Sequence, residues 1–480
     1  MSSTPTDEHL HDGTQAPRLN HLLVLTALAS AISGFLYGYD TGIVSGALLQ
    51  IRRDFDTGSG MEQVIAASIL AGAVIGALVG GRLSERWGRH KTILLIAIVF
   101  VLGTLASSLA PSAVTLSLAR VLLGFAVGAA TQTVPMFVAE LSPARYRGRL
   151  VLTFQVAIGV GILVSTIVGA TELFSWRLMV GMAAVPAAVL FFLMLPLPES
   201  PRWLVKVDRV DDARSNLARV RTGGDLEAEL REIRDVEAQE RKSPTRGFAG
   251  LRQPWVRPAL VVGVGIAVFT QLSGIEMIIY YTPTILTDVG FTESSALRVS
   301  VALAATYLVM MLIGFSIIDR VGRRRLTLIM IPGAALALAV LGSVFVVGGD
   351  NADTAWLLIT CLVVFMVFNA GGLQLMGWLT GSEVYPLAVR GAGTSVQSAS
   401  LWGSNMIITL TLLSMINAIG VGPSMWVYAL FNVAAWVFVF KRFPELNGRS
   451  LEDIEGALRT GTFRPGGVQA SADTKAAAGV

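Results

Sequence analysis

The stretch Ser33–Leu49, SGFLYGYDTGIVSGALL, lies late in an apolar run that begins at His21. The run is long enough to cross a bilayer as a helix, and yet it contains an acid, Asp40. A charge inside hydrocarbon costs about 2.5 kcal/mol or more, so an acid in this position is a functional candidate. Four glycines recur at helical spacing around it and predict a smooth face that another helix approaches closely: Gly34, Gly38, Gly42 and Gly46.

The composition of the chain is that of a membrane protein. Of its 480 residues, 53% are hydrophobic and only 15% are charged, whereas soluble domains carry about 25% charged residues. The first 20 residues are polar and lack the basic start of a signal peptide, so we expect the first apolar run to be retained as a span.

Apolar runs long enough to cross a bilayer recur along the whole chain. Twelve of them predict an all-α membrane protein, with spans at 21–47, 62–81, 92–110, 113–138, 151–171, 177–197, 258–287, 298–318, 325–347, 355–381, 391–415 and 421–440. The segments around them divide the chain into a tail at 1–20, a six-helix bundle at 21–197, a linker with short amphipathic helices at 198–257, a second six-helix bundle at 258–441 and a tail at 442–480.

The basic residues predict how the spans are oriented. Arginines and lysines crowd the loops at 82–91, 139–150 and 319–325 and the linker, while the alternate loops carry only Arg52, Arg53, Arg177 and Arg298. By the positive-inside rule, we expect both tails and the linker to lie in the cytoplasm. The expected location is the cell's inner (plasma) membrane.

The two bundles repeat each other in sequence. Three segments of the first half have counterparts in the second half, in the same order and at nearly constant separation: GRLSERWGRHK (81–91) with SIIDRVGRRRL (316–326), AELSPARYRGR (139–149) with SEVYPLAVRGA (382–392), and PESPRWL (198–204) with PELNGRSL (444–451). Tandem halves of this kind are a known transporter plan, in which the substrate binds near the midplane between them.

Together these motifs resemble the sugar porter family of the major facilitator superfamily. The resemblance covers nearly the whole chain and rests on GYDTG at 38–42, the repeated basic loops, PESPRWL, QLSGIEMIIYY at 271–281 and PELNGRSLEDIE at 444–455. It implies the twelve-helix major facilitator fold and a monomeric transporter that imports a sugar or polyol with a proton by alternating access. The proton gradient would drive transport, so no cofactor is expected.

Other functions were weighed against this one. A uniporter for the same substrates and a symporter for another small organic solute both remain open. A nutrient sensor is disfavoured because the tail is short. An enzyme is disfavoured because no nucleophile with a base is recognisable, and the four scattered histidines and single cysteine, Cys361, predict no metal site or disulfide. No nucleic-acid partner is expected.

Asp40 and Arg120 form the first candidate site. Arg120 opens the stretch RVLLGFAVGAA inside the fourth predicted span, where it also needs a partner of opposite charge. We expect the two to meet and Asp40 to carry the coupling proton; the alternative is a fixed structural ion pair. Some coupled relatives carry a further glutamate in the sixth span, but no acid follows Trp176–Arg177 here, so coupling would rest on Asp40 and Arg120.

Acids and bases at matched span ends form the second candidate site. The resemblance implies a cytoplasmic gate whose ion pairs hold the outward-open state and separate when the inside opens: Arg89, Glu140, Arg147 and Glu199 in the first half, and Arg323, Glu383, Arg390 and Glu445 in the second. The alternative is ordinary solvated charge. Exposed pairs contribute about 0–1 kcal/mol each, so only a network could bias the conformation.

Polar and aromatic residues inside the spans form the third candidate site. Those that match substrate positions of the family are Gln155, Gln271, Glu276, Trp378, Trp402 and Asn405. Amide side chains both donate and accept hydrogen bonds, as sugar hydroxyls do, and an indole offers an apolar face and one donor. Each residue alone could instead make an interhelical hydrogen bond or anchor a span end.

Glu276 is the main departure from the family pattern, which has an asparagine there. On a regular helix, Gln271 and Glu276 would point about 140° apart. Gly274 lies between them, and a break in the span at this glycine would let both face the substrate. Glu276 is then a pocket acid that favours a polyol or an amine-bearing sugar; otherwise it faces the outer vestibule.

Overall fold

The computed structural model describes residues 20–171, 173–221, 225–242, 247–347 and 354–468. Within these ranges, the side chains of a few residues, including Arg147, also fall outside the description. In this part of the chain all regular structure is helical, and twelve helical segments are long and apolar enough to cross a membrane, as predicted.

The first half contains six spans. They are α1 (His21–Phe55), α2 (Ser59–Trp87), α3 (Arg89–Ser108), α4 (Ala113–Leu141), α5 (Ala144–Ala170) and, as span 6, the pair α6 (Trp176–Gly181) and α7 (Ala184–Met194). The linker follows with α8 (Pro201–Lys206), α9 (Val210–Val220), α10 (Leu226–Lys242) and α11 (Gly247–Gly250).

The second half repeats this arrangement. Span 7 is the pair α12 (Arg257–Leu272) and α13 (Ile275–Asp288), followed by α14 (Glu293–Val321) and α15 (Arg323–Val347). Span 10 is the pair α16 (Ala355–Ala370) and α17 (Leu373–Val384), and after a 3₁₀ turn at Leu387–Val389 come α18 (Arg390–Ile419), α19 (Val421–Arg442) and the tail helix α20 (Leu451–Thr460).

Several helices extend beyond the predicted spans because an apolar run marks only the part that crosses hydrocarbon. Span 1 continues from the predicted residue 47 to Phe55, where Asp56 adopts a left-handed conformation with φ of 48° and ends the helix. Its start agrees with the prediction, since the Asn20 side chain accepts a hydrogen bond from the Leu22 amide and caps it.

The glycines of the opening stretch pack span 1 against span 5, as predicted. A Cβ atom at Gly34 or Gly38 would meet the carbonyl oxygen of Phe154 or Ile158, and one at Gly46 would lie 2.8 Å from Gly169 Cα. No larger side chain fits at this distance, so the glycines set how closely the two backbones approach.

The exterior of the bundle is apolar, as a protein surrounded by lipid requires. Large hydrophobic side chains with exposed fractions above about half occur on both halves: Ile75, Leu102, Leu118, Phe192, Ile329, Leu336, Ile407 and Leu430. The polar groups that sequence analysis selected lie inside instead, and this inverted arrangement is expected when the surrounding solvent is hydrocarbon.

Span 7 is broken between its two helices at Gly274, the position where a break was suggested. Gly274 has φ of 93°, a left-handed conformation that favours glycine. Asn432 donates to the Ser273 carbonyl at 2.9 Å, and Asn369 donates to the Ser273 hydroxyl at 2.8 Å. These bonds satisfy polar groups that the break would otherwise leave unpaired in the membrane.

Span 10, predicted at 355–381, covers Ala355–Val384 and is broken at Gly371–Gly372, a break that was not predicted. A pair of glycines is equally typical of close packing between helices. The two glycines in the sequence therefore did not distinguish a broken span from a close helix contact.

Short helices occupy the described part of the linker. The two longer linker helices are amphipathic, and α9 buries Ala213, Leu217 and Val220. In the tail, α20 begins at a capping box formed by Ser450 and Asp453. Residues after 468 lie outside the described part of the chain.

Candidate functional site

The candidate site lies between the two halves, which touch each other at both ends. We call the end that carries Arg89 and Arg323 the basic end, and the other the opposite end. At the basic end Gln132 of span 4 donates a hydrogen bond to the Ser398 hydroxyl of span 11. The interior residues between these ends are therefore enclosed in this conformation.

Hydrogen bonds and ion pairs join the halves at the opposite end. Gln63 donates to the Ser414 hydroxyl at 2.9 Å. Arg53 at the end of span 1 makes two hydrogen bonds, of 2.8 and 3.2 Å, to the carboxylate of Glu293 at the start of span 8. Arg52 lies 3.5 Å from Asp288 at the end of span 7. Sequence analysis noted both arginines as exceptions to the charge pattern but assigned them no partner.

Asp40 and Arg120 meet inside the first half. Arg120 Nη2 lies 3.7 Å from Asp40 Oδ2, and the two side chains are 3% and 8% exposed. The distance is too long for a hydrogen bond, and Arg120 Nε and Nη2 have no hydrogen-bond partner among the described residues. The pair is held by charge alone, so a proton on Asp40 would remove most of its attraction.

An aromatic cluster lies at the interface of the halves. Trp378 and Trp402 come from the second half, with ring centroids 6.2 Å apart. Tyr37 comes from the first half, 5.1 Å from Trp402 and 6.4 Å from Trp378. Sequence analysis missed Tyr37, although it lies one helical turn before Asp40 in the opening stretch. Such edge contacts are favourable aromatic geometries.

Several predicted substrate residues carry buried polar atoms without a hydrogen-bond partner among the described residues. They are two donors and two acceptors: Trp402 Nε1, Asn405 Nδ2, Gln271 Oε1 and Glu276 Oε2. Gln374 Oε1 belongs to the same class. Each unpaired buried group costs about 1–3 kcal/mol, so the set indicates a ligand that both donates and accepts.

Gln155 is placed differently from the other predicted substrate residues. It lies on span 5 beside Phe154 and is half-buried, and no hydrogen bond joins it to another described site residue. The structure therefore brings Trp378 and Trp402 together directly but gives Gln155 no contact that supports its assignment.

Glu276 is enclosed by tyrosines. It is 3% exposed and follows the break of span 7 by two residues. Its carboxylate is close enough to interact electrostatically with Tyr37 of span 1, Tyr280 of its own helix and Tyr307 of span 8. In this conformation it faces the interior rather than an outer vestibule.

Tyr280 connects Glu276 with the Asp40 pair. Its hydroxyl interacts with the Thr41 side chain, and its electrostatic partners include Asp40, Arg120 and Glu276. Polar groups of the two halves are thus linked across the interface by one phenol.

At the basic end of the first half, Arg89, Glu140 and Glu199 form a largely buried network. Arg89 binds Glu140 through two hydrogen bonds, Nε to Oε2 at 3.0 Å and Nη2 to Oε1 at 3.1 Å. Glu199 accepts from the backbone amides of Arg89 and His90, at 2.9 and 3.1 Å. The Ser200 hydroxyl also donates a hydrogen bond to the Glu140 carboxylate.

The second half repeats this geometry. Arg323 lies 2.9 Å from Glu383, and Glu445 accepts from the Arg323 backbone amide at 2.8 Å. Arg390 Nε donates to the Tyr385 carbonyl at 3.4 Å, and the Arg147 side chain lies outside the described residues. Each of these described pairs joins helices of the same half, so the network ties each half together rather than one half to the other.

Comparisons with known proteins agree with this architecture. The family model for "Sugar (and other) transporter" matches residues 26–458. A D-xylose transporter of Levilactobacillus brevis is 38% identical, over 90% of this chain and 95% of its own length. The major myo-inositol transporter IolT of Bacillus subtilis is 34% identical, over 90% and 93%. A solved structure of the proton:xylose symporter XylE bound to 6-bromo-6-deoxy-D-glucose matches with a TM-score of 0.77 and 25% identity, over 91% and 99%.

Proposed function

The chain belongs to the sugar transporter family of the major facilitator superfamily, and on that premise we propose that it imports a neutral sugar or polyol together with a proton by alternating access. It is a multi-pass membrane protein and not an enzyme. The observation that carries the proposal is the set of unpaired buried donors and acceptors, which includes Trp402 of the Tyr37–Trp378–Trp402 cluster.

The chemistry of this set suits a polyhydroxy compound. A hydroxyl donates one hydrogen bond and accepts others, so it satisfies Trp402 Nε1 and Gln271 Oε1 alike. The flat apolar face of a sugar ring stacks against an indole, which accounts for the paired tryptophans. Relatives named as xylose and myo-inositol transporters support both a sugar and a polyol.

Asp40 is the proposed proton carrier. When Asp40 is charged, Arg120 holds it at 3.7 Å without a hydrogen bond. A proton on Asp40 removes most of this attraction, so the pair can separate during the transport cycle. The contrast with Arg89–Glu140, which two hydrogen bonds fix, favours a separable pair over a structural one. The similar protein XylE is a proton:xylose symporter, which is consistent with this role.

Alternating access would move the two halves as rigid bodies relative to each other. The networks at the basic end keep the helices of each half together, so the contacts that must separate are those between the halves. At the basic end this includes Gln132–Ser398, and at the opposite end Gln63–Ser414 and Arg53–Glu293. The positive-inside rule places the basic end in the cytoplasm.

Uptake into proteoliposomes tests the proposal. The purified full-length protein is reconstituted and given radiolabelled hexoses, pentoses, inositols and small organic acids, with and without an inward proton gradient. We expect a neutral sugar or polyol to accumulate only when the gradient is present. Equilibration without accumulation would identify a uniporter, and preference for an organic acid would overturn the substrate class.

A further inference from the structure

We propose that Glu276 is a second proton-binding site, located in the second half, and that its protonated form is the one enclosed when the halves close. The proposal rests on the proposed transport function and adds to it a titrating group besides Asp40. It starts from the position of Glu276, 3% exposed at the broken part of span 7.

The carboxyl group of Glu276 has no partner of opposite charge among the described residues. No described residue forms an ion pair or hydrogen bond with it, and Oε2 is buried without a partner. Asp40, by contrast, has Arg120, and the equally buried Glu62 has Arg52 at 3.2 Å. Buried charges are paired or neutralised, and the route available to Glu276 is protonation.

The groups that face Glu276 are neutral phenols from three elements: Tyr37 on span 1, Tyr280 on its own helix and Tyr307 on span 8. Span 11 packs against the same helix through Thr409, whose carbonyl accepts from Tyr281 at 3.0 Å. One cation interacts with this group of tyrosines: Arg120 interacts electrostatically with Tyr280, and it is already paired with Asp40.

One feature of the structure favours the charged form. Glu276 lies in the first turn of α13, where the helix dipole stabilises an anion. The helix dipole raises the ratio of charged to neutral carboxyl by about two- to fivefold. Placing an unpaired charge in hydrocarbon lowers the same ratio by about a hundredfold. The effect of burial is therefore larger than that of the helix dipole. When the two halves close around Glu276, the neutral carboxyl is the favoured form.

Each time the two halves close, Glu276 must therefore carry a proton, whether Asp40 is protonated or charged. When the halves separate, water reaches Glu276 and it titrates. As pH rises, fewer molecules carry the proton that closure needs, so the rate of sugar exchange falls. This dependence remains when Asp40 cannot titrate, because Glu276 belongs to the other half.

Sugar exchange at equal pH on both sides of proteoliposomes isolates this effect. In Asp40→Asn, we expect exchange to fall with rising pH, approaching about tenfold per pH unit at the alkaline end. Asp40→Asn/Glu276→Gln is expected to be independent of pH, since the amide is neutral throughout. Asp40→Asn/Glu62→Gln is the matched control, because Glu62 is a buried acid that is paired with its own cation. In this variant, the rate of exchange should still fall with rising pH.

Either of two results overturns the proposal: exchange by Asp40→Asn that does not change with pH, or a slope that persists in Asp40→Asn/Glu276→Gln. A third result, faster exchange at high pH together with preference for an amine-bearing sugar, would show instead that Glu276 is charged and pairs with a cationic substrate.

Infrared spectroscopy of the reconstituted protein without sugar gives a second readout that does not need transport. We expect the carbonyl band of a protonated carboxyl at neutral pH, lost in Glu276→Gln and kept in Glu62→Gln. The proposal fails if the band is missing, or is unchanged in Glu276→Gln. If no sugar is transported but the band behaves as expected, the proposed substrate class fails while the proton site stands.

Discussion

Replacing Trp402 by phenylalanine tests whether the aromatic cluster binds the substrate. The Trp402 ring is 2% exposed and lies 5.1 Å from Tyr37, but its Nε1 donor has no partner among the described residues. Phenylalanine keeps an aromatic ring against Tyr37 and removes only the donor and part of the ring. If the donor binds a sugar hydroxyl, its loss costs about 0.5–1.5 kcal/mol, which corresponds to a two- to tenfold higher half-saturation constant.

Trp436→Phe is the matched control. Trp436 lies in the same half, and its Nε1 already donates to the Leu328 carbonyl at 3.1 Å. We expect this variant to change thermal stability but not half-saturation, measured as concentration-dependent exchange of the best substrate from the uptake panel. An unchanged half-saturation constant in Trp402→Phe, or an equal change in both variants, would refute the assignment of Trp402 to the pocket.

Three further predictions concern coupling, the opposite end and the helix contacts. Asp40→Asn should abolish uphill accumulation while exchange remains measurable, because the amide keeps the shape of the side chain but carries no proton; accumulation by this variant would exclude Asp40 as the carrier. Arg53→Glu should separate the halves at the opposite end, seen as longer distances between spin labels on the two halves, and adding Glu293→Arg should restore the wild-type distances. Gly38→Val should lower the melting temperature by several degrees, since its Cβ would meet the Ile158 carbonyl, and a melting temperature within error of wild type would contradict the packing of spans 1 and 5.

The fold was predictable because hydrocarbon restricts what can cross it. An apolar run of sufficient length becomes a helix, and the repeated basic loops relate the two halves. The meeting of Asp40 and Arg120 was predictable for the same reason, since opposite charges inside a membrane stabilise each other. The break in span 7 was suggested by Gly274, because only a break there would let Gln271 and Glu276 both face the substrate.

Other features depend on tertiary contacts that a sequence does not specify. Tyr37 was missed because an aromatic residue in an apolar span is as typical of helix packing as of a binding site, and only its distances to Trp378 and Trp402 distinguish the two. The pairing of Arg53 with Glu293 joins residues far apart in the chain. The resemblance suggested gate residues, but only the structure shows that Arg89–Glu140 ties together one half.

The most direct test of the account is the movement of protons driven by sugar. Proteoliposomes that contain the wild-type protein and an internal pH indicator, with no initial pH gradient, are given the preferred sugar from outside. The account predicts that the lumen becomes more acidic as sugar enters, in wild type and not in Asp40→Asn. Sugar entry with no change of internal pH in the wild-type protein would contradict proton-coupled import.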